Sequence, residues 1–247
     1  MEKYGIIGGS GLENPNILQH ITEIEIETPY GKPSSSLKCG NINGTEVVLL
    51  SRHGRDHSIP PSQVNNRANI WALKEAGCTH ILATTAVGSL QEHIYPGKLV
   101  VLDQFIDFTK HRKTTFFEKF EQGEMKHTPM ATPFSDQLRN ILIATAQKLD
   151  MDIEQQGTVI TIEGPRFSTR AESKMFRLWG ADVINMSTAP ECILANELNI
   201  PYAAIAMSTD YDCWKTDIEP VSWEAVITVF IKNVDKVIRL ITESLKK

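Results

Sequence analysis

Asp210 and Asp212, two residues apart, end the small and apolar run Tyr202-Ala-Ala-Ile-Ala-Met-Ser-Thr209. The run reads as a buried strand of an α/β sheet, and ligands of such sheets sit beyond the C-terminal ends of the strands. Two like charges repel there, so at least one must be solvated, protonated or matched to a ligand donor. A carboxyl with a raised pKa can lend a proton at neutral pH while its neighbour accepts hydrogen bonds from an amino group. The ordinary alternative is an Asp that caps a helix or starts a turn after a strand.

Other strand ends carry compatible chemistry. In Ser51-Arg-His-Gly-Arg-Asp-His57, Arg52 offers a planar fork suited to phosphate and His53 can add a donor; a solvated basic turn is the competing reading. His53 and His57 are four apart but no third ligand is evident, so no metal site is expected. Thr84-Thr-Ala-Val-Gly-Ser89 closes a third apolar strand with hydroxyls and a glycine. Ile162-Glu-Gly-Pro-Arg-Phe-Ser168 forms a fourth end, where Glu163 and Arg166 either pair with each other or bind ligand hydroxyls, and Phe167 can stack on a flat ring. Asn185-Met-Ser-Thr188 forms a fifth. Gly8-Gly-Ser-Gly11 follows a strand as anion-cradling loops do, with Ser10 adding a hydroxyl, although a tight structural turn fits equally. It lacks the Lys-Ser/Thr of a phosphate loop and the third glycine of a dinucleotide fingerprint. No Gly-x-Ser-x-Gly elbow is present. Such a set suits protonation of a leaving group beside a bound anion, without a covalent enzyme intermediate.

The elements that must position these residues alternate along the chain. Strands are expected at Tyr4–Gly8, Ile21–Glu27, Ser36–Cys39, Glu46–Ser51, His80–Thr85, Lys98–Phe105, Thr158–Glu163, Asp182–Met186 and 202–209. Helices are expected at Ser62–Ala76, Phe134–Leu149, from the capping box Thr169-Arg-Ala-Glu172 to Gly180, Pro190–Leu198, and Ser222–Leu245. The last is amphipathic, with Val226, Phe230, Val234, Val237 and Ile241 on one face. From Asp107 to Pro133 no period holds, and irregular stretches of that length inside a compact domain tend to be functional. The alternation predicts one α/β domain over residues 1–247, with a mixed central sheet flanked by helices.

Composition agrees with this. Hydrophobic residues make up 41% and charged residues 22% of the 247, enough for a core and a soluble surface. A net charge of -5 argues against a nucleic-acid partner, and no apolar run approaches a membrane span. Four widely spaced cysteines without a Cys-x-x-Cys pattern are expected to be free thiols in a reducing cytoplasm.

Taken in order, these segments resemble the trimeric purine nucleoside phosphorylase family, in its 5'-methylthioadenosine phosphorylase branch. The matching stretches are Gly5-Ile-Ile-Gly-Gly-Ser-Gly-Leu12, Arg52-His-Gly-Arg55, Asn69-Ile-Trp-Ala-Leu-Lys-Glu75, Thr84–Ser89, Asp103-Gln-Phe-Ile-Asp107, Ile162–Ser168, Gly180-Ala-Asp-Val-Ile-Asn-Met186 and Thr209-Asp-Tyr-Asp-Cys-Trp214. The resemblance implies phosphate held by Ser10, Arg52, His53, Thr85, the Ala86 backbone and Ser187, and Met186 beneath the ribose. It implies Phe167 stacked on the base, Ser168, Asp210 and Asp212 around the base's edge, and His127 reaching into a neighbouring subunit's site in a homotrimer. The implied reaction is cleavage of a purine nucleoside by inorganic phosphate, with Asp210 protonating or hydrogen-bonding N7 of the leaving base and with no metal or cofactor.

Family members acting on 6-oxopurines carry an asparagine at the base edge, whereas this chain has Asp at both positions, which favours a 6-aminopurine. Two departures bear on the 5' substituent. The chain stops at Lys247, short of the tail that helps close the 5' pocket in members of the branch, and Trp223 stands where those members have a small aliphatic residue. Trp223, Val226 and Ile227 are expected to line that pocket, Trp223 either packing on a methylthio group or donating its N–H to a 5'-hydroxyl. Methylthioadenosine is the expected substrate. Adenosine, inosine or methylthioinosine is the enzymatic alternative, and a non-catalytic nucleoside binder is the alternative of another class.

Overall fold

Ile6 and Ile7 are neighbours in sequence and belong to different cores. In the first strand, β1 (Lys3–Gly8), successive side chains leave opposite faces. Ile6 packs with Leu82, Leu138 and Leu240, and Ile7 with Ile70, Ala83 and Ala204. Both faces being apolar, the strand must be covered on both sides. The structure is a computed structural model that describes residues 2–8, 17–218 and 222–246. Ser10 and most of the glycine loop lie outside the described residues.

The remaining strands are β2 (Gln19–Ile24), β3 (Leu37–Ile42), β4 (Thr45–Ser51), β5 (His80–Ser89), β6 (Leu99–Val101), β7 (Gln104–Phe108), β8 (Ile153–Glu154), β9 (Thr158–Ile162), β10 (Val183–Asn185) and β11 (Tyr202–Asp210). All join in one mixed sheet. β4, β1, β5 and β11 run parallel, so Ser51 pairs beside Gly8 and Asp210 beside Gly88 at one edge. β10, itself parallel to β9, pairs antiparallel with the last residues of β5. Helices α1 (Asn66–Glu75) and α4 (Thr188–Glu197) bury one face of the sheet, while α2 (Asp136–Lys148) and α5 (Trp223–Ser244) bury the other. Phe176 of α3 (Arg170–Leu178) packs with Ile160, Ile162 and Ile184 in a third cluster.

Several boundaries differ from the sequence expectation. β5 does not stop at Thr85 but runs to Ser89, because β10 and β11 hydrogen-bond its C-terminal half. The strand expected at Lys98–Phe105 is two, β6 and β7, which pair with β11 and β9 respectively. α1 begins four residues late: Pro61–Gln63 form a short 3-10 turn, and the Asn65 side chain accepts from the Ala68 N–H to cap the helix proper. Residues 109–135 hold no helix or strand, as expected for the aperiodic stretch.

The capping box at α3 is formed as read. Thr169 Oγ1 accepts from Glu172 N at 3.2 Å and Glu172 Oε2 accepts from Thr169 N at 2.8 Å. Arg166 forks onto Glu172 at 2.7 Å, and this bond together with the helix N-terminus pulls the Glu172 pKa down to about 2. Thr169→Ala removes one half of the box and is expected to cost about 1 kcal/mol. The urea midpoint of folding checks this, and an unchanged midpoint would show that the cap carries no weight.

Candidate active site

Strand ends from across the sheet converge on one cavity of about 400 Å³, the size class of small-molecule sites. Its wall takes Arg52 and His53 from beyond β4, Thr84–Gly88 from β5, Ile162 from β9, Phe167 and Ser168 from the turn after it, Ile184–Ser187 from β10 onward, Thr209 and Asp210 from β11, and Asp212 from just beyond it. Trp223, Val226 and Phe230 of α5 close another side. Every residue that the family resemblance places at the phosphate, ribose, base or 5' end lines the same space, with three exceptions. Ser10 is not among the described residues. Ile227 is not on the wall, because a helix turns about 100° per residue and Val226 and Phe230, four apart, share the face that Ile227 leaves. His127 lies exposed against Phe120, ring centroids 5.7 Å apart, away from this chain's cavity.

On the anion side the arginine is neither a solvated turn residue nor an open fork. Arg52 is only 2% exposed. Its Nε and Nη2 donate to Glu191 at 2.5 and 3.0 Å, and its Nη1 donates to the Thr84 carbonyl at 2.8 Å. His53 departs from its expected role as a donor. Its Nδ1 lies 2.9 Å from the Ile59 carbonyl, which only accepts, so Nδ1 carries the proton. Burial, then the Arg52 charge, lower its pKa to about 4. At neutral pH the ring is therefore uncharged, and Nε2 presents a lone pair. The Thr85 and Ser187 hydroxyls stand 3.3 Å apart. Asn185 Nδ2 donates to Thr85 Oγ1 at 3.1 Å, and the threonine hydroxyl itself donates to the Ala86 carbonyl at 3.1 Å.

The acid pair is split by its surroundings. Asp212 has φ +49°, a left-handed conformation that Asp tolerates, and this turns its N–H onto Asp210 Oδ1 at 2.7 Å. Thr209 Oγ1 donates to Asp210 Oδ2 at 2.8 Å. Burial outweighs these two bonds, the Asp212 charge adds to it, and the Asp210 pKa rises to about 6. Asp212 instead takes the Ser168 hydroxyl, 2.7 Å from each carboxylate oxygen. One aspartate is thus protonatable near neutrality while its neighbour is held by a hydroxyl donor. Gly88 makes the fit possible: a Cβ there would stand 2.9 Å from Asp210 Oδ1 and 3.0 Å from Ile184 Cγ2.

Glu163 and Arg166 pair neither with each other nor with the cavity. Arg112 of the irregular stretch donates to Glu163 Oε1 at 2.7 Å, and Arg166 takes Glu172. The same Arg112 donates to the Glu163 and Met186 carbonyls at 2.6 and 3.2 Å. Phe167 is 43% exposed on the wall, and Met186 lies over Gly164 where any Cβ would collide with its sulfur. Trp223, half exposed, sits on the cavity rim with its ring 6.1 Å from that of His57. Among the described residues no cluster of His, Cys, Asp and Glu is arranged to hold a metal. Sequence reasoning missed Glu191, and it held Thr209, Asn185 and Gly88 only as members of strand ends without a role of their own. A signal existed for Glu191, an acid set among the small and apolar residues Ala189, Pro190, Cys192, Ile193 and Leu194.

A protein-family model described as "Phosphorylase superfamily" matches residues 3–246. The chain belongs to the phosphorylase superfamily. Within it, the chain is 55% identical over 237 residues to an S-methyl-5'-thioadenosine phosphorylase of Xenopus tropicalis, spanning 95% of this chain and 84% of that relative. It is 50% identical over 244 residues to the Drosophila melanogaster protein of the same name, spanning 98% and 84%. A solved methylthioadenosine phosphorylase from Schistosoma mansoni in complex with adenine superposes with a TM-score of 0.93 at 43% identity, covering 99% of this chain and 91% of that one. A variant adenosine/methylthioadenosine phosphorylase from the same organism, in complex with methylthioadenosine, gives a TM-score of 0.92 at 42% identity, covering 99% and 90%. These likenesses span the whole sheet and both helical layers of this chain.

The elevated Asp210 pKa makes a stability statement. The folded carboxyl, with a pKa near 6 against 3.8 unfolded, holds its proton more tightly than the unfolded one, so stability falls as pH rises from about 4 to about 6 and stays lower above. Asp210→Asn removes that penalty. The variant is expected to be more stable than the parent at pH 8, by up to about 3 kcal/mol, and no more stable at pH 4. Urea unfolding at the two pH values checks it, and a variant less stable at both would contradict the assignment.

Proposed function

We propose that this phosphorylase cleaves the N-glycosidic bond of 5'-methylthioadenosine with inorganic phosphate, giving adenine and 5-methylthioribose-1-phosphate. The observation that carries the reading is one cavity holding a protonatable carboxyl, Asp210, together with Arg52, His53, Thr85 and Ser187. Its relatives' names and the ligands in their structures support the same substrate class.

In this reading the C1'–N9 bond lengthens toward an oxocarbenium-like ribosyl cation, a phosphate oxygen forms the new bond to C1', and Asp210 passes its proton to N7 of the departing base. General-acid help of about 10²–10⁴ corresponds to about 3–5 kcal/mol of barrier. The phosphate is held by Arg52, by the Thr85 and Ser187 hydroxyls, and by the Ala86 backbone. The lone pair of neutral His53 accepts the hydroxyl of a hydrogen-phosphate dianion. Ser10, which the family resemblance adds to the phosphate set, lies outside the described residues. Met186 lies beneath the ribose and Phe167 against the base. Asp212, fixed by Ser168, accepts from a 6-amino group, which favours adenine over 6-oxopurines. Further parts of the reading are a single domain over residues 1–247, a cytoplasmic role in purine salvage, and a homotrimer in which His127 completes the neighbouring subunit's site.

Two outcomes follow. Turnover requires phosphate, and Ser187→Ala raises the phosphate KM by tenfold or more, since a hydrogen bond to a charged group contributes about 1.5–3 kcal/mol. Steady-state assays with and without phosphate check this; equal turnover in phosphate-free buffer would make the protein a hydrolase. At the 5' end, Trp223 packs on the methylthio sulfur. Trp223→Val is therefore expected to reduce the preference for methylthioadenosine over adenosine about 2- to 12-fold, as sulfur–aromatic contacts of about 0.3–1.5 kcal/mol allow. If the parent prefers adenosine and the Val variant reverses that, the indole is instead a donor to a 5'-hydroxyl.

A further inference from the structure

Glu191 is fully buried, belongs to α4 and does not line the cavity, yet it meets the side chain on which anion binding depends. Its two oxygens take the Nε–Nη2 edge of Arg52, and Thr84 O takes one Nη1 hydrogen. An arginine has five N–H donors, so two remain, one on each terminal nitrogen. The carboxylate is fixed in turn: the Tyr202 hydroxyl, 2.8 Å away, donates to Oε2. Burial, then the Glu191 charge, push the Tyr202 phenol well above its ordinary range, so it remains a donor at any working pH. Asn196 and Cys192 on the same helix bond to Pro133 O, which anchors α4 to the chain entering α2.

We infer that Glu191 is a positioning residue for phosphate, a bracket that with Tyr202 and Thr84 O fixes the plane of the Arg52 guanidinium so that its two remaining N–H groups face the cavity. The inference rests on the proposed contact between Arg52 and phosphate. Two features separate it from a merely structural pair. The bracket uses the side-on edge of the guanidinium, leaving part of the end-on edge for another acceptor. It also sets the cationic charge of Arg52 against a carboxylate, so the site attracts its anion by directed donors more than by net charge.

Glu191→Gln keeps the shape and loses one acceptor and the charge, while Tyr202→Phe leaves the pair and removes only its brace. Phosphate KM, nucleoside KM and kcat are measured for both, with adenine affinity by calorimetry as the reading that a general loss of structure would move. The expected result is a phosphate KM raised at least tenfold by Glu191→Gln and two- to fivefold by Tyr202→Phe, with adenine affinity within twofold of the parent. A phosphate KM that is unchanged or lowered in folded Glu191→Gln overturns the inference. If that variant fails to fold, Tyr202→Phe decides: a raised phosphate KM sustains the bracket, and an unchanged one removes it. Absence of phosphate-dependent turnover in the parent enzyme would instead remove the underlying reading of Arg52.

Discussion

A guanidinium and a carboxylate stripped of water tie the molecule together. Arg52 follows β4, Glu191 lies on α4, the carbonyl that completes the set is on β5, and Tyr202 opens β11. Four elements distant in sequence must come into register before these charges are satisfied. Breaking such a buried pair from one side costs about 3–5 kcal/mol, because the remaining charge is stranded. The pair is therefore poor insulation for the core and a strong constraint on its geometry: few alternative packings satisfy both partners.

The same logic separates the two aspartates. Sequence alone places like charges at a strand end, and they can be relieved by solvent, by a proton or by a ligand. The structure divides the remedies. Asp212 receives a serine hydroxyl, and Asp210, under burial, keeps its proton up to about pH 6. The division depends on backbone geometry at two positions, a left-handed Asp212 and a side-chain-free Gly88. Strand pairing supplies the remainder, since Gly88 is flanked by Asp210 on one side and Ile184 on the other.

Much of this was legible in the chain, and what was not has identifiable causes. The strand ends announced themselves because apolar runs stopped at hydroxyl, basic and acidic residues, and those residues do share a cavity. Helix starts were read correctly at the caps Thr169 and Ser222, and less well at α1, where Pro61 imitates a helix start ahead of the true cap, Asn65. Partnerships were the weak point. Arg52 looked free because Glu191 is distant in sequence, and Glu163 and Arg166 looked like a pair because they are close. Charge pairing follows the fold and not the spacing. The donor state of His53 was likewise illegible, because it is set by the carbonyl of Ile59, whose position no local pattern fixes. The Ile227 placement, made because it stands one turn after Trp223, failed because the wall follows the stripe of Trp223, Val226 and Phe230.

The irregular stretch is two things in one connection. Residues 110–112 hang on Glu163, whose side chain takes the N–H groups of Lys110 and His111 and the guanidinium of Arg112. Thr115 and Phe116 are pinned to Glu197 on α4. Beyond them the chain is largely exposed as far as Ala131. Because Arg112 also grips the carbonyl of Met186, the inner half of this connection is part of the cavity's foundation. The outer half is tied more lightly, with Glu118 on Arg67 of α1 at 3.0 Å and the Ala131 carbonyl accepting from Gln104. Mechanically, the molecule has a fixed abutment and a lightly tied span on one strand of chain, and the floor of the site rests on the abutment alone.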